Sequence, residues 1–279
     1  MKSKTRKDTI INVLLQLGIF LFAVGTIYPV LWVIKIAFGA SKGLSISLSL
    51  LPEDPTLANF SYVLFKKPFF TWLFNSVVVA GATTLMGVFL AATAGYAFSR
   101  FRFPGRTTGL LSFLVTQMFP GTMMMIPIYL IVDMLGLLDT LFALVLVYST
   151  TAIPFCVWML KGYFDTIPKD LEEAALIDGA SKTKIFYKII LPLAKPAIAV
   201  TALFSFMTAW NEFILAATFM NSETTYTLPV GLQNFVGQFA QDWGYFAASA
   251  VLVSIPIVTL FFILQKYLVS GLTAGGVKG

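Results

Sequence analysis

Apolar runs of membrane-spanning length alternate with short polar connections along nearly the whole chain. A helix needs roughly 20 mostly apolar residues to cross the hydrocarbon core of a bilayer, and six runs meet that length: 10–38, 72–98, 110–131, 141–160, 197–220 and 243–268. The first greatly exceeds the roughly 7–15 residues of a signal-peptide apolar region and shows no small-residue cleavage site, so a retained span is expected. Lys35, near its far end, is expected to snorkel toward the interface. The connection 39–70 contains Pro52-Glu53-Asp54-Pro55, and Thr56 is placed to cap a short surface helix through Asn59 and Leu64.

Three spans carry features of their own. Gly81, Ala82, Gly87, Ala91, Ala92 and Gly95 put small residues at helical spacing along the second, which allows close packing within this chain or against a second subunit. Pro120-Gly121 and Pro127 break the third, and Pro154 lies in the fourth. Breaks at membrane depth persist only where the freed backbone groups face protein or water, so the third span reads as pathway-lining or as kinked for packing. The fifth contains Trp210-Asn211-Glu212. A carboxylate at mid-span is costly and is a functional candidate by default, which makes Asn211 and Glu212 pathway candidates. The simpler reading of Glu212 is a neutral or helix-paired side chain.

Charge gives the topology. Fifteen of the nineteen Lys and Arg residues fall on one side of a six-span arrangement. These are four before the first span, Arg100, Arg102 and Arg106, six from Lys161 to Lys195, and Lys266 and Lys278 at and beyond the end of the sixth span. The other side holds Lys35, Lys42, Lys66 and Lys67. The positive-inside rule then puts both termini and the 165–196 loop on the cytoplasmic side of the membrane. Only 11% of residues are charged, against about 25% in soluble domains, and 58% are hydrophobic. The net charge of +6 does not indicate nucleic acid, because the basic residues follow topology rather than forming a patch with stacking aromatics.

Enzyme chemistry finds little to work with. Cys156 is the sole cysteine and histidine is absent, which excludes an internal disulfide, multi-cysteine metal sites, Ser–His triads and zinc-protease motifs. No G-x-x-x-x-G-K-[ST] phosphate loop occurs; Gly179-Ala-Ser-Lys-Thr lacks the paired glycines. No catalytic residue and no metal site is assigned.

The stretch 171–196 is the one long polar passage between strongly apolar runs. It reads as two short helices joined by a glycine. Pro168 suits the first helical turn, and Asp170, Glu172 and Glu173 put negative charge at the positive end of the dipole. Gly179 is the expected stop, and Ser181 the expected cap of a second helix reaching Pro192. So small a charged unit cannot bury a core of its own and needs something to dock against.

Glu173-Ala174-Ala175, then Gly179, then Ile189 and Leu191-Pro192 resemble the EAA loop of permease subunits of ABC importers. Arg102-Phe103-Pro104-Gly105, Gln117-Met118-Phe119-Pro120, Trp210-Asn211-Glu212-Phe213 and the ending Gly271 to Gly279 resemble the carbohydrate-uptake branch, most closely the smaller permease subunit of maltose and maltodextrin importers. The resemblance implies an all-α membrane protein of the type I importer permease fold, with six transmembrane helices and a cytoplasmic coupling helix. It implies a boundary near 70 after the first span and its outer loop, a five-span core over 71–268 and a cytoplasmic tail over 269–279. The coupling residues would be Glu173, Ala174, Ala175, Asp178, Gly179, Ile189, Leu191 and Pro192. Gly275, Gly276, Val277 and Lys278 would touch the ATPase, and Thr227, Leu228, Pro229, Gly231 and Gln233 a binding protein.

The partners so implied are a larger (MalF-like) permease subunit, a dimeric ABC ATPase (MalK/MsmX-like) and an extracytoplasmic sugar-binding protein. Membrane lipid surrounds the spans, nucleic acid is not expected, and ATP with Mg2+ would be cofactors of the ATPase rather than of this chain. The cargo is expected to be maltose, maltodextrin or a related oligosaccharide. The rival is a gradient-driven secondary transporter with Glu212 as proton site; such folds usually show two related halves with matching broken helices, and no repeat of that kind is visible.

Overall fold

The computed structural model describes residues 6–40, 49–235 and 242–276. Within them the named elements are all helical: α1 (Arg6–Ala37), α2 (Ala58–Lys66), α3 (Phe69–Arg100), α4 (Arg106–Met118), α5 (Gly121–Met134), α6 (Leu141–Thr166), α7 (Asp170–Ile177), α8 (Lys182–Ile185), a π turn (Phe186–Ile190), α9 (Leu191–Leu193), α10 (Lys195–Trp210), α11 (Ile214–Phe219), α12 (Leu228–Gln233) and α13 (Trp243–Gly276). Four helices, α1, α3, α6 and α13, are long and apolar enough to span a membrane unbroken, and bent pairs raise the number to six.

The third expected span is one of those pairs. α4 and α5 meet at 101°, and the break sits at Phe119-Pro120, while Pro127 is accommodated inside α5. Pro120 has no N–H to donate back into α4, and the residue before a proline is pushed out of helical φ/ψ; Phe119 accordingly has ψ 126°. Met118 is 79% and Phe119 58% exposed, so the described residues do not cover the break. In the fifth span α10 ends at Trp210 and α11 begins at Ile214, an interruption the apolar pattern does not announce.

Two compact units are distinguished, 1–67 with 232–254 and 68–231 with 255–279. In the first, Asn59 on α2 donates from Nδ2 to the carbonyls of Ala37 (3.0 Å) and Gly39 (2.9 Å), closing the chain end that α1 leaves open. Thr56 Oγ1 accepts from the Ala58 amide at 3.1 Å, but Thr56 lies one residue before the N-cap of α2, which is Leu57 and has no side-chain capping bond. Lys35 is buried at 4% exposure rather than reaching outward, because the end of α1 is packed in a small cluster with Ala247 and Ala248.

In the second unit α3 packs along α6, and α10 lies against both. The small residues of α3 serve this packing: Gly87, Ala91, Ala92 and Gly95 are buried, and a Cβ on Gly95 would stand 3.1 Å from the Lys161 amide nitrogen of α6. Gly81, with nothing within 4 Å, is not part of it. One continuous core runs from Ala91 and Tyr96 through Cys156, Leu160 and Phe164 to Ile185, Phe186 and Ile190. It reaches from the spans into the polar elbow that follows α6.

A candidate coupling elbow and a pinned 219–233 segment

α7 begins after Lys169, whose carbonyl accepts from the amides of Glu172 (2.9 Å) and Glu173 (3.0 Å). Pro168 lies one residue before that cap rather than inside the first turn, because the carbonyl that nucleates the helix belongs to Lys169. At the other end the Ala180 amide reaches the Ala175 carbonyl (2.9 Å) and the Gly179 amide the Leu176 carbonyl (3.0 Å). That pair of bonds is a Schellman cap, and it requires the left-handed residue between them. Gly179 supplies it with φ +79°. The accompanying apolar contact comes from Ala175 and Ala180, both packed onto the core.

Helical spacing divides α7 into two faces. Glu172 and Ala175, three apart, turn inward; Glu173 and Ile177, four apart, turn outward, and Leu176, four after Glu172, sits half-exposed at the edge between them beside Arg100 and Ile185. Ile177 is 88% exposed, Leu176 46% and Leu171 45%, an unusual display on a polar loop. Ala174, Asp178 and Gly179 are also exposed. Glu173 makes no hydrogen bond or ion pair among the described residues, whereas Glu172 forms an ion pair with Arg100 and accepts a hydrogen bond from the Tyr96 hydroxyl at 2.7 Å. Sequence reasoning assigned Arg100 only to topology and Glu172 only to the helix dipole. Burial of a cation at a span end was the missing signal, and periodicity alone does not carry it.

The second arm departs from a plain helix to Pro192. Ser181 does cap it, accepting from the Lys184 amide at 3.3 Å, but after one turn the backbone passes through the π turn, α9 and a 77° bend into α10. A π turn adds a residue to one turn and so shifts the buried face. Ile185, Phe186 and Ile190 point into the core, and Lys182, Lys184, Tyr187 and Lys188 lie outside. Of the remaining predicted coupling positions, Ile189 and Leu191 are half-buried against this core and Pro192 is exposed.

The expected binding-protein segment is held down rather than free. Thr227 and Leu228 are buried, Gly231 is buried against Trp72, Pro229 is half-buried, and only Gln233 of the five is exposed. The segment folds as α12 instead of an open loop because α3 offers it partners. Trp72 Nε1 donates to the Glu223 carbonyl (3.1 Å), Asn75 Nδ2 to those of Thr224 and Tyr226 (2.9 Å each), and the Leu228 amide donates to Ser76 Oγ (2.8 Å). Asp139, with φ +60° in the turn before α6, accepts from the amides of Asn221 (2.9 Å) and Ser222 (3.1 Å) and from the Ser222 and Thr225 hydroxyls. Desolvation pushes its carboxyl up, but those four donors outweigh it and hold the pKa down at about 2.

Glu212 acts at the break between α10 and α11. Its carboxylate accepts from the amides of Leu215 (2.9 Å) and Ala216 (3.1 Å), which caps α11, and from the Tyr148 hydroxyl (2.7 Å). The partner on a neighbouring helix is thus a tyrosine of α6, not a cation. Asn211 is exposed, with Nδ2 donating back to the Met207 carbonyl at 2.8 Å. At the far end Gly275 and Gly276 form the last turn of α13, so the expected tail is helical as far as Gly276; Val277 and Lys278 lie outside the described residues.

Comparison with known proteins places this architecture. The family described as binding-protein-dependent transport system inner membrane component matches residues 12–274. The galactooligosaccharides transport system permease protein GanQ of Bacillus subtilis is 42% identical over 92% of both chains, and the maltodextrin transport system permease protein MdxG of the same organism 38% identical over 93% of both. Among solved structures, a chain of a bacterial ABC transporter involved in the import of the acidic polysaccharide alginate superposes with a TM-score of 0.79 at 26% identity, covering 96% of this chain and 99% of that one. The match over nearly the full length, on a helical scaffold with a polar elbow between α6 and α10, means that this chain belongs to the family of binding-protein-dependent transport system inner membrane components.

Proposed function

We propose that this chain forms half of the transmembrane pathway of an ATP-driven importer for maltose, maltodextrin or a related oligosaccharide, and that it receives its driving motion at α7. The observation that carries this reading is the outward face of α7. Glu173 stands with Ile177 and the half-exposed Leu176 on an eight-residue helix, exposed and without a hydrogen-bond or ion-pair partner among the described residues, on an elbow whose opposite face is rooted in the core. An exposed apolar patch flanked by charge on a structured loop marks a docking surface. The relatives named for sugar uptake supply the cargo class.

ATP and Mg2+ belong in this reading to a dimeric ATPase beneath the membrane, since the sequence holds no phosphate loop. A larger permease subunit completes the pathway, and an extracytoplasmic binding protein delivers the sugar. The positive-inside distribution supports both termini and the elbow on the cytoplasmic side. ATP draws the paired ATPases together, the elbows follow, and the spans rock between inward-open and outward-open states. A gradient-driven mechanism lacks support, because the carboxylate it would need is engaged as the cap of α11.

Glu173→Lys tests the docking. The expected outcome is a chain that inserts normally but loses co-purification with the ATPase and loses uptake. Gly179→Leu should act alike: at φ +79° a side chain strains the turn by about 1–2 kcal/mol even though nothing stands within 4 Å. Normal ATPase association and normal uptake in both variants would refute the reading.

A further inference from the structure

Glu172, not Glu173, ties the elbow to the spans. Its carboxylate takes the Arg100 guanidinium and the Tyr96 hydroxyl, both from the last turns of α3, and the ion pair is nearly enclosed, with side-chain exposures of 6% for Arg100 and 12% for Glu172. Arg100 is over-determined. Its Nη2 donates to the Ile167 carbonyl (2.8 Å) in the link from α6 to α7, and its Nη1 to Ser99 Oγ (3.1 Å). Ser99 Oγ in turn donates to Asp165 Oδ1 (2.6 Å), whose other oxygen holds Lys161 Nζ at 2.6 Å. The Tyr96 ring is wedged among Phe101, Phe164 and Phe186, with centroid separations of 5.8, 6.0 and 4.8 Å. One contact therefore joins α7 to the ends of α3 and α6 and to the second arm of the elbow.

A buried charged contact of this kind adds little stability over an apolar replacement, yet it fixes geometry and is costly to leave half made. Motion applied to the outward face of α7 has to cross to α3 somewhere, and the rest of the α7 inward face offers little beyond Ala175. We infer that the Arg100–Glu172–Tyr96 contact is the strut through which displacement of α7 reaches α3, making Arg100 and Glu172 positioning residues for transport rather than docking residues. This inference rests on the coupling reading above.

The test uses the whole complex of this chain with its permease partner, ATPase and binding protein in proteoliposomes, with a labelled maltodextrin as probe. ATP hydrolysis and uptake are measured on the same vesicles for Glu172→Gln, Arg100→Gln, Tyr96→Phe and the double variant Glu172→Arg/Arg100→Glu. A strut predicts that the single charge variants, though less stable to heat, still assemble with their partners and still hydrolyse ATP. Sugar moved per ATP should fall about tenfold, the order typical of one coupling contact, with a smaller fall for Tyr96→Phe and substantial recovery in the charge-swapped pair. Unchanged sugar per ATP overturns the inference. So does a parallel loss of yield, hydrolysis and uptake, the mark of a merely structural bond, and so does a swapped pair no better than the singles. A wild-type complex that neither holds an ATPase nor hydrolyses ATP sinks the coupling reading itself and the strut with it, and differs from all of these by failing before any variant is compared.

Discussion

Gly231→Ala is the sharpest probe of the pinned 219–233 segment. A Cβ at this position would lie 2.3 Å from Cδ2 and Cε3 of Trp72 and 2.7 Å from Cζ3, whereas non-bonded carbons settle at about 3.5–4.0 Å. The indole has little room to retreat: Trp72 is fully buried, and moving it breaks the bond from Nε1 to the Glu223 carbonyl. Overpacking of a filled site costs about 1–3 kcal/mol and a lost hydrogen bond about 1 more, so a penalty of about 2–4 kcal/mol is expected. Gly81→Ala on α3 is the control, since nothing stands within 4 Å of it, and it should be neutral or stabilising by up to about 1 kcal/mol. Unfolding is read in mild detergent by labelling the single, buried thiol of Cys156, which reacts only as the core opens. The Gly231→Ala midpoint should drop by about 5–10 °C. In a Trp72→Ala background the alanine penalty should vanish, so the coupling should equal that penalty, about 2–4 kcal/mol. Superimposable melts for Gly231→Ala and Gly81→Ala would refute the close approach of α12 to α3.

The Asp139 clasp makes stability pH-dependent. Its folded pKa of about 2 lies below the model-compound value of 3.8, so its contribution is complete above about pH 4 and is lost as pH falls toward 2; the wild type should lose stability over that window more steeply than Asp139→Asn. Asn75→Ala leaves the carbonyls of Thr224 and Tyr226 without their donor and should cost about 1–2 kcal/mol, read as faster proteolysis within 221–226. Glu212→Ala uncaps α11 and should cost about 0.5–2 kcal/mol; ATP-driven uptake by Glu212→Gln should persist after the proton gradient is collapsed, and its abolition there would revive a proton-site role.

How much of this was legible depended on the length scale of the signal. Membrane spans are long averages over side-chain type, so their number and approximate limits could be read directly. Gly179 and Ser181 were legible because a left-handed stop and a cap each leave a residue-type trace. The break at Phe119-Pro120 was visible in proline, but the gap at 211–213 was not, since Asn211-Glu212-Phe213 carries no breaker and its cap is a carboxylate that reads as a functional charge. The strut and the clasp were not legible at all. Arg100 and Glu172 are 72 residues apart, and Asp139 and Ser222 83. No local pattern reports a contact that only tertiary packing creates.

The acidic groups of this chain sort by what they face, and that separates adjacent residues with identical side chains. Glu212 and Asp139 spend their oxygens on backbone amides at the start of α11 and in the 221–222 turn, which a carboxylate does well because it accepts from several donors at once. Glu172 spends its oxygens on Arg100 and Tyr96. Glu173, one residue on and rotated by about 100° around the helix, is exposed at the rim of the hollow that Arg100, Glu172 and Lys182 line, and makes no hydrogen bond or ion pair among the described residues. A carboxylate left open beside exposed apolar side chains is available to a partner, whereas one enclosed with its counter-ion acts within the chain. Under the proposed coupling, the two glutamates of α7 are the two ends of one mechanical element, and disturbing them should separate assembly from coupling: Glu173 variants should lose the ATPase, and Glu172 variants should keep it and waste its work.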